Sequence, residues 1–317
     1  MSPSGSYSYR GNDYDVSARF VTTDPQVVNN EIDRVYLELY PAAPTWQLDR
    51  AFLDLTRLYR GESQDYHPCD TAYHDVQHVL EVALAMARLI DGYERARIGV
   101  QPLGDSLFRL GVITALFHDV GYLRKLKDYR HRNGAEYTLI HVSRGSHFLR
   151  TYLPTIGMAE MADVAARLIH FTGYEMPVEK ISVPSPIYRL LGSMLGSADI
   201  IAQMADRCYL EKCRDRLYPE FVAGGLAIRR TLEGKQQVVF ASGEDLVIKT
   251  PGFFRGASRR LEVDLGGCHV YAQRHFGGQN LYLDELNKNI RFARGISANG
   301  DTSMLKRKPP DTLTQES

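Results

Sequence analysis

Leu116-Phe117-His118-Asp119-Val120-Gly121 is the stretch that decides how this chain is interpreted. The apolar residues 112–117 predict a buried helix, and a glycine two residues after the acid is typical of a helix C-terminus. The stretch places an imidazole and a carboxylate side by side, and both are ligand types that suit Zn²⁺, Mn²⁺ or Fe. A single pair cannot hold an ion, so other helices must supply further ligands.

Histidines and acids recur on both sides of this stretch. His74 and His78 are four residues apart, which is about one helical turn, so we expect them to share one face of a helix that begins near residue 73. His141, His170 and Asp199 follow downstream. Any one of these histidines alone is more simply a structural residue, but the ordered set favours metal chemistry.

Composition limits the classes of function. The chain has 317 residues, 44% of them hydrophobic, which is enough for a buried core in one or two domains. Because 38 basic residues balance 38 acidic ones, we expect no nucleic-acid partner. We also expect no membrane association, because no uncharged run approaches the roughly 20 residues that span a bilayer. Four cysteines without a CxxC pair, and no apolar leader, favour a cytoplasmic protein.

Helical spacing predicts a mainly all-α fold. Residues 24–232 carry the helical pattern, beginning with the N-cap acid and proline of Asp24-Pro25. Residues 1–23 are rich in Ser, Gly and Tyr and predict a flexible N-terminal arm. The polar residues 298–317 predict a disordered tail.

The residue pattern changes from helical to β-like after residue 232. Residues 237–241 and 246–250 are β-like and are separated by Ser242-Gly-Glu-Asp, which predicts a hairpin turn. We therefore expect residues 233–297 to form a small β/loop appendage. It could cover a pocket, make a homodimer contact or bind a partner.

The set His78, His118-Asp119 and Asp199 resembles the HD-domain superfamily of metal-dependent phosphohydrolases, whose motif runs His, His-Asp, Asp. The resemblance spans roughly residues 70–205. It implies an HD-type helical bundle, with these four residues as ligands of a divalent metal (Mn, Zn, Mg or Fe).

Tyr73-His74-x-x-x-His78 is similar to the signature of class I cyclic nucleotide phosphodiesterases. In that class the first histidine donates a proton to the leaving oxygen and the second binds metal. The resemblance therefore implies His74 as general acid and His78 as ligand. Asp75 stands where the class usually has asparagine.

A second ion is also implied by resemblance. The segment Glu136-x4-His141-x3-Gly145 is similar to the part of two-metal HD proteins that supplies a further histidine. His170 falls where another would lie, although the usual His-His pair is His170-Phe171 here. His141 and His170 are thus the expected ligands of a second ion.

The chemistry implied is hydrolysis of a small phosphorylated substrate, most simply a phosphodiester of a nucleotide such as a cyclic nucleotide. Asp119 could bridge two ions, and a metal-bound hydroxide would attack phosphorus. His74 would protonate the departing oxygen. Three further residues could contact substrate: Lys125 and Arg130, from a basic loop, and Gln203, one turn after Asp199. A solvated loop and an ordinary surface glutamine are the simpler interpretations of these three.

Three other functions remain open from sequence. A nucleotidase or other phosphomonoesterase could use the same residues. A di-iron oxygenase would need the fuller ligand set, including His141 and His170. A non-catalytic HD binding module is the third alternative. Burying polar groups costs free energy, however, and a domain without catalytic activity would have no need of them.

Overall fold

A computed structural model describes residues 10–230 and 235–312, without the side chain of Arg230, and shows a mainly α-helical protein. The predicted all-α fold class is confirmed. The helices are α1 (Pro25–Leu39), α2 (Trp46–Tyr59), α3 (Val76–Ala96), α4 (Gly104–Leu116), α5 (His141–Tyr152), α6 (Ala162–Leu168), α7 (Pro186–Met204), α8 (Tyr209–Lys212), α9 (Tyr218–Ala223), α10 (Gly243–Arg259), α11 (Tyr271–His275) and α12 (Leu281–Asn299). Among them, none combines the length and apolarity needed to cross a bilayer.

Helix α3 lies at the centre of the bundle. Its residues 77–93 are all buried, because it packs against α1, α4, α7 and α11 on its different sides. The buried stretch is mainly apolar, with Glu81, Arg88 and Asp91 among its polar residues. The first turn of α3, which carries His78, is therefore inside the protein.

The described part of the chain contains one small sheet. Strands β1 (Ile228–Arg230) and β2 (Gln236–Val238) pair antiparallel, with Ile228 opposite Val238. The strand expected at residues 246–250 is wrong, because this segment belongs to α10. The residues interpreted as a hairpin turn form a helix N-terminus: the Ser242 side chain accepts a hydrogen bond from the N–H of Asp245.

The region after β2 adds to the same hydrophobic core as α3 and α7. Leu246, Phe254 and Leu261 are buried in it. The Arg260 guanidinium donates hydrogen bonds to the carbonyls of Phe171 and Gly173, at 2.8 and 2.6 Å. The expected β/loop appendage is thus mainly helical and is fastened to the loop that follows α6.

The described portions of both terminal segments pack against the bundle. In the expected arm, Asp15 accepts a hydrogen bond from Arg88 of α3 at 2.6 Å, and both side chains are buried. In the expected tail, residues 300–312 form no regular helix or strand, yet Leu305 is buried and the N–H of Arg307 bonds to Glu211. Residues 1–9 and 313–317 lie outside the described chain.

Substitution of Asp15 by Asn is expected to lower the free energy of unfolding by about 3–5 kcal/mol at pH 7, because it leaves the buried Arg88 without its counter-charge. Burial alone would raise the pKa of Asp15, but the Arg88 charge and the hydrogen bonds from Ser17, Phe20 and Arg88 together outweigh it and lower that pKa from 3.8 to about 2. The stabilisation is therefore present above pH 4 and is lost as pH falls towards 2.

Urea denaturation at pH 7 and pH 3 measures this effect. Asp163→Asn is the matched control, since it removes the same charge from an exposed pair with Arg150. The control should change stability by less than about 1 kcal/mol. Equal stabilities of the two variants at pH 7 would show that the Asp15–Arg88 pair does not hold the N-terminal segment.

Candidate metal centre

Four helices bring their ligand-type residues to one point. His78 comes from the first turn of α3, Asp199 from the second half of α7, and His141 is the first residue of α5. His118 and Asp119 directly follow Phe117, the C-cap of α4, so the helix ends where the sequence predicts. The backbone leaves the helix there, and both side chains remain buried.

The ligand atoms of this cluster are close to one another. His78 Nε2 lies 3.3 Å from His118 Nε2 and 3.4 Å from both Asp119 Oδ2 and Asp199 Oδ1. His118 Nε2 lies 3.2 Å from Asp119 Oδ2 and 3.8 Å from Asp199 Oδ1. On the other side of the carboxylate, His141 Nε2 is 3.8 Å from Asp119 Oδ1.

These separations fit a bound cation. Ligand atoms about 2.1 Å from an ion at the corners of a tetrahedron are about 3.4 Å apart. The buried Asp119 Oδ2 receives no hydrogen bond of normal geometry from the described residues. Such an oxygen is costly to bury unless a cation compensates it. His78, His118 and Asp119 are thus suited to hold one ion, since their ligand atoms lie within 4.8 Å of one another. Asp199 approaches both histidines but is outside that mutually close group, and His141 faces the second oxygen of Asp119.

Backbone carbonyls orient two of the imidazoles. His118 Nδ1 lies 2.7 Å from the carbonyl oxygen of Ala115, and His141 Nδ1 lies 2.7 Å from that of Thr138. Because a carbonyl can only accept, Nδ1 carries the proton in each ring. The lone pair of each neutral ring is then on Nε2, the atom that faces the cluster. This is the arrangement usual for metal-binding histidines.

The cluster attracts positive charge. Burial lowers the pKa of His118, but the Asp119 carboxylate outweighs it and raises that pKa to about 9. Conversely, burial raises the pKa of Asp119, and the neighbouring His118 holds it well below its usual range. For His141, burial dominates and lowers the pKa. A cation and a proton compete for His118 Nε2, so cation binding should weaken as pH falls.

His74 lies beside the cluster but not on α3. Asp75 is the N-cap of α3, where its side chain accepts the N–H of His78, so His74 precedes the helix. The expectation that His74 and His78 share a helix face is therefore wrong, although their ring centroids are 6.1 Å apart. The capping role also explains how an acid is accommodated at position 75.

Two residues that the sequence did not point to hold His74. Its Nδ1 lies 2.5 Å from Oε2 of Glu220 on α9, which also accepts the N–H of Tyr73. Its ring stacks on Tyr122, at 4.3 Å between centroids, and Tyr122 stacks on His141. Glu220 lies outside the motif-bearing part of the chain, and no spacing relates it to His74. The sequence therefore offered no signal for it.

Gln203 positions a candidate ligand. Its Nε2 donates to Asp199 Oδ1 at 3.2 Å, and its Oε1 accepts from the Tyr73 hydroxyl at 3.2 Å. It lies one turn after Asp199 and lines the same cavity, as the sequence indicates. Its amide thus contacts the carboxylate of Asp199, and contact with substrate remains a prediction.

The structure does not bring three predicted site residues to the cluster. His170 bonds through Nδ1 to Glu175 at 2.6 Å and, unlike His141 and Asp199, does not line the cavity that contains His78 and Asp119. Lys125 lines a separate cavity of about 900 Å³, because a bridge to Tyr66 carries its loop to the other side of Val120-Gly121. Arg130 is exposed and lines neither cavity. The phosphate-attracting role predicted for Lys125 and Arg130 finds no support in this placement.

A cavity of about 770 Å³ opens onto the cluster, within the size range of small-molecule sites. Its inner end is polar and is lined by His74, His78, Asp119 and Asp199. Its remaining walls include residues 138–143 at the start of α5, the loop after α6 and residues beyond α8. The C-terminal region therefore forms part of the same cavity as the candidate ligands.

Gly121→Ala is expected to disturb the centre directly. A Cβ at this position would lie 1.9 Å from the carbonyl oxygen of His141, so the start of α5 would have to move. We expect a loss of about 1–3 kcal/mol of stability and weaker retention of metal. Thermal unfolding and metal titration measure both effects.

Gly256→Ala is the control for that substitution. Gly256 lies within α10, and open space surrounds its Cβ position, so alanine there should be neutral or slightly stabilising. If Gly121→Ala behaved like Gly256→Ala, the close approach of Gly121 to His141 would not matter for the site.

No protein-family model matches this chain, and a search of curated proteins returned no match. The activity must therefore be inferred from the residues themselves.

Proposed function

We propose that this protein is a metal-dependent phosphohydrolase that cleaves a phosphodiester, with a nucleotide such as a cyclic nucleotide as the natural candidate. The observation that carries the proposal is the convergence of His78, His118 and Asp119, whose ligand atoms are 3.2–3.4 Å apart, with Asp199 3.4 and 3.8 Å from the two histidines. Beside them, His74 is held in the same cavity by a buried carboxylate. When bound there, a divalent ion supplies Lewis acidity towards phosphoryl oxygens and acidifies water.

His74 is suited to act as general acid. Burial lowers its pKa, but Glu220 outweighs burial, so the pKa of His74 is raised above its ordinary value. The ring therefore keeps its proton to higher pH than an ordinary histidine does. With Nδ1 bonded to Glu220, Nε2 is the atom that can donate a proton to a leaving oxygen. Glu220 then stabilises the charged ring and fixes its orientation.

The leaving group distinguishes the proposal from a phosphomonoesterase that uses the same ligands. An alkoxide leaves poorly without a proton, so a positioned acid is most valuable for cleaving a diester of an alcohol. A residue as firmly held as His74 favours that use. The oxygenase alternative gains less support, since it draws on His170, which is bonded to Glu175 and does not line the cavity.

The test is hydrolysis of bis-p-nitrophenyl phosphate and of p-nitrophenyl phosphate by the full chain, supplied in turn with Mn²⁺, Zn²⁺, Mg²⁺ and Fe²⁺. The proposal predicts metal-dependent cleavage of the diester that EDTA abolishes. Cleavage of the monoester alone would favour a nucleotidase-like activity. Hydrolysis of neither ester with any of the four ions would contradict a phosphohydrolase.

A further inference from the structure

The outer wall of the cavity differs in character from its metal-binding end. It is formed largely by residues after α8, among them Phe221, Phe240 and Phe253. The rings of Phe221 and Phe240 contact each other, with centroids 5.7 Å apart. Phe253 is 46% exposed although it lines the cavity. Aromatic surface left open in a cavity is suited to contact the apolar or planar part of a ligand.

Two cations lie on this wall, and they differ in their partners. Lys249 is engaged: its Nζ donates to Asp245 at 2.7 Å and to the carbonyl of Val239 at 2.8 Å. Arg229, on β1, is exposed and lines the cavity, and no carboxylate or carbonyl among residues 10–230 and 235–312 pairs with it. The guanidinium of Arg229 is therefore available to a ligand.

The position of Arg229 matters because acidic residues line the same cavity. These residues are Asp119, Asp199 and Glu175. A ligand with an anionic group is repelled by these carboxylates wherever no cation compensates them. Arg229 supplies a positive charge to the lining of this cavity, with the fork of donors that matches phosphate or carboxylate oxygens.

We propose that the C-terminal wall is the recognition part of the site, in which Arg229 binds an anionic oxygen of the ligand and the phenylalanines contact its planar or apolar group. The ligand class is an organic phosphate that carries an aromatic moiety. This inference rests on the proposed function for its assignment to a substrate. It assigns the C-terminal region a direct role in substrate recognition.

The experiment is calorimetric titration of the full chain with 1-naphthyl phosphate and with uncharged 1-naphthol, in EDTA so that no turnover occurs. Arg229→Gln should weaken binding of 1-naphthyl phosphate by about tenfold to a hundredfold, the usual effect of losing a charge-assisted hydrogen bond. It should leave binding of 1-naphthol unchanged. Phe240→Ala should weaken binding of both compounds.

Arg255→Gln is the matched control, because Arg255 is an exposed arginine of α10 that does not line the cavity. It should bind both compounds like the unaltered chain. Equal affinity of the Arg229 and Arg255 variants for 1-naphthyl phosphate would overturn the inference, as would failure of the unaltered chain to bind it. Arg229-dependent binding without any phosphoesterase activity would keep this site while rejecting the proposed function.

Discussion

Asp119→Asn is expected to lower kcat/KM for phosphodiester hydrolysis by at least about a thousandfold. One oxygen of Asp119 lies close to His78 and His118, and the other lies towards His141. The amide retains the shape but loses the charge that attracts a cation, and its NH₂ group would replace one of these oxygens. Steady-state kinetics with bis-p-nitrophenyl phosphate, at saturating metal, measures the loss.

Asp128→Asn is the control for that change. Asp128 also pairs with a histidine, His131, at 2.9 Å, but it lies in the basic loop outside the cavity. Its removal should leave kcat/KM within about twofold, as expected of a surface ion pair. Similar losses in both variants would indicate a general effect on folding, and full activity of Asp119→Asn would exclude the carboxylate from the reaction.

His74→Gln should lower kcat for a diester with an alkoxide leaving group by about a hundredfold to ten-thousandfold. The same variant should lose far less activity towards bis-p-nitrophenyl phosphate, because nitrophenolate departs readily without a proton. A general acid predicts this difference between substrates, whereas a purely structural histidine predicts equal losses. Comparison of thymidine 3′-methyl phosphate with its 3′-p-nitrophenyl analogue is a direct measurement.

Glu220→Gln adds a pH-dependent readout to this prediction. Glu220 raises the pKa of His74, so the acid remains protonated to higher pH in the unaltered protein. Removing that carboxylate should move the alkaline limb of the kcat profile to lower pH. An unchanged limb, or equal loss of both substrates in His74→Gln, would assign proton donation to another group.

The sequence predicted the residues at the centre of the cluster because their positions follow local rules. An apolar helix that ends in His118-Asp119, with glycine following, specifies both the residue types and the helix end at which they emerge. Asp199 and Gln203, four residues apart on one long helix, share a face for the same reason. The relation of His74 to His78 was predicted for the wrong reason, since Asp75 begins the helix between them.

Contacts between residues far apart in the chain could not be predicted from the sequence. Glu220 reaches His74 across 146 residues, and Arg260 fastens the loop after α6 from 89 residues away. Local composition also misled at residues 246–250, where Val, Ile and Thr indicated a strand. The Ser242 cap and the packing of Leu246 against the core favour a helix instead. The β propensity of residues 246–250 is therefore weaker than the combined effect of the Ser242 cap and the burial of Leu246.

The most direct test of the metal centre is the metal content of the purified full chain after equilibration with Mn²⁺, Zn²⁺ or Fe²⁺ and removal of free ion. Inductively coupled plasma mass spectrometry would be applied to the unaltered chain and to the His78→Ala/His118→Ala double variant. The geometry of the cluster predicts at least one tightly held ion in the former and none in the latter. Failure of the unaltered chain to retain any of the three ions, or equal retention by both proteins, would contradict a metal centre at His78, His118, Asp119 and Asp199.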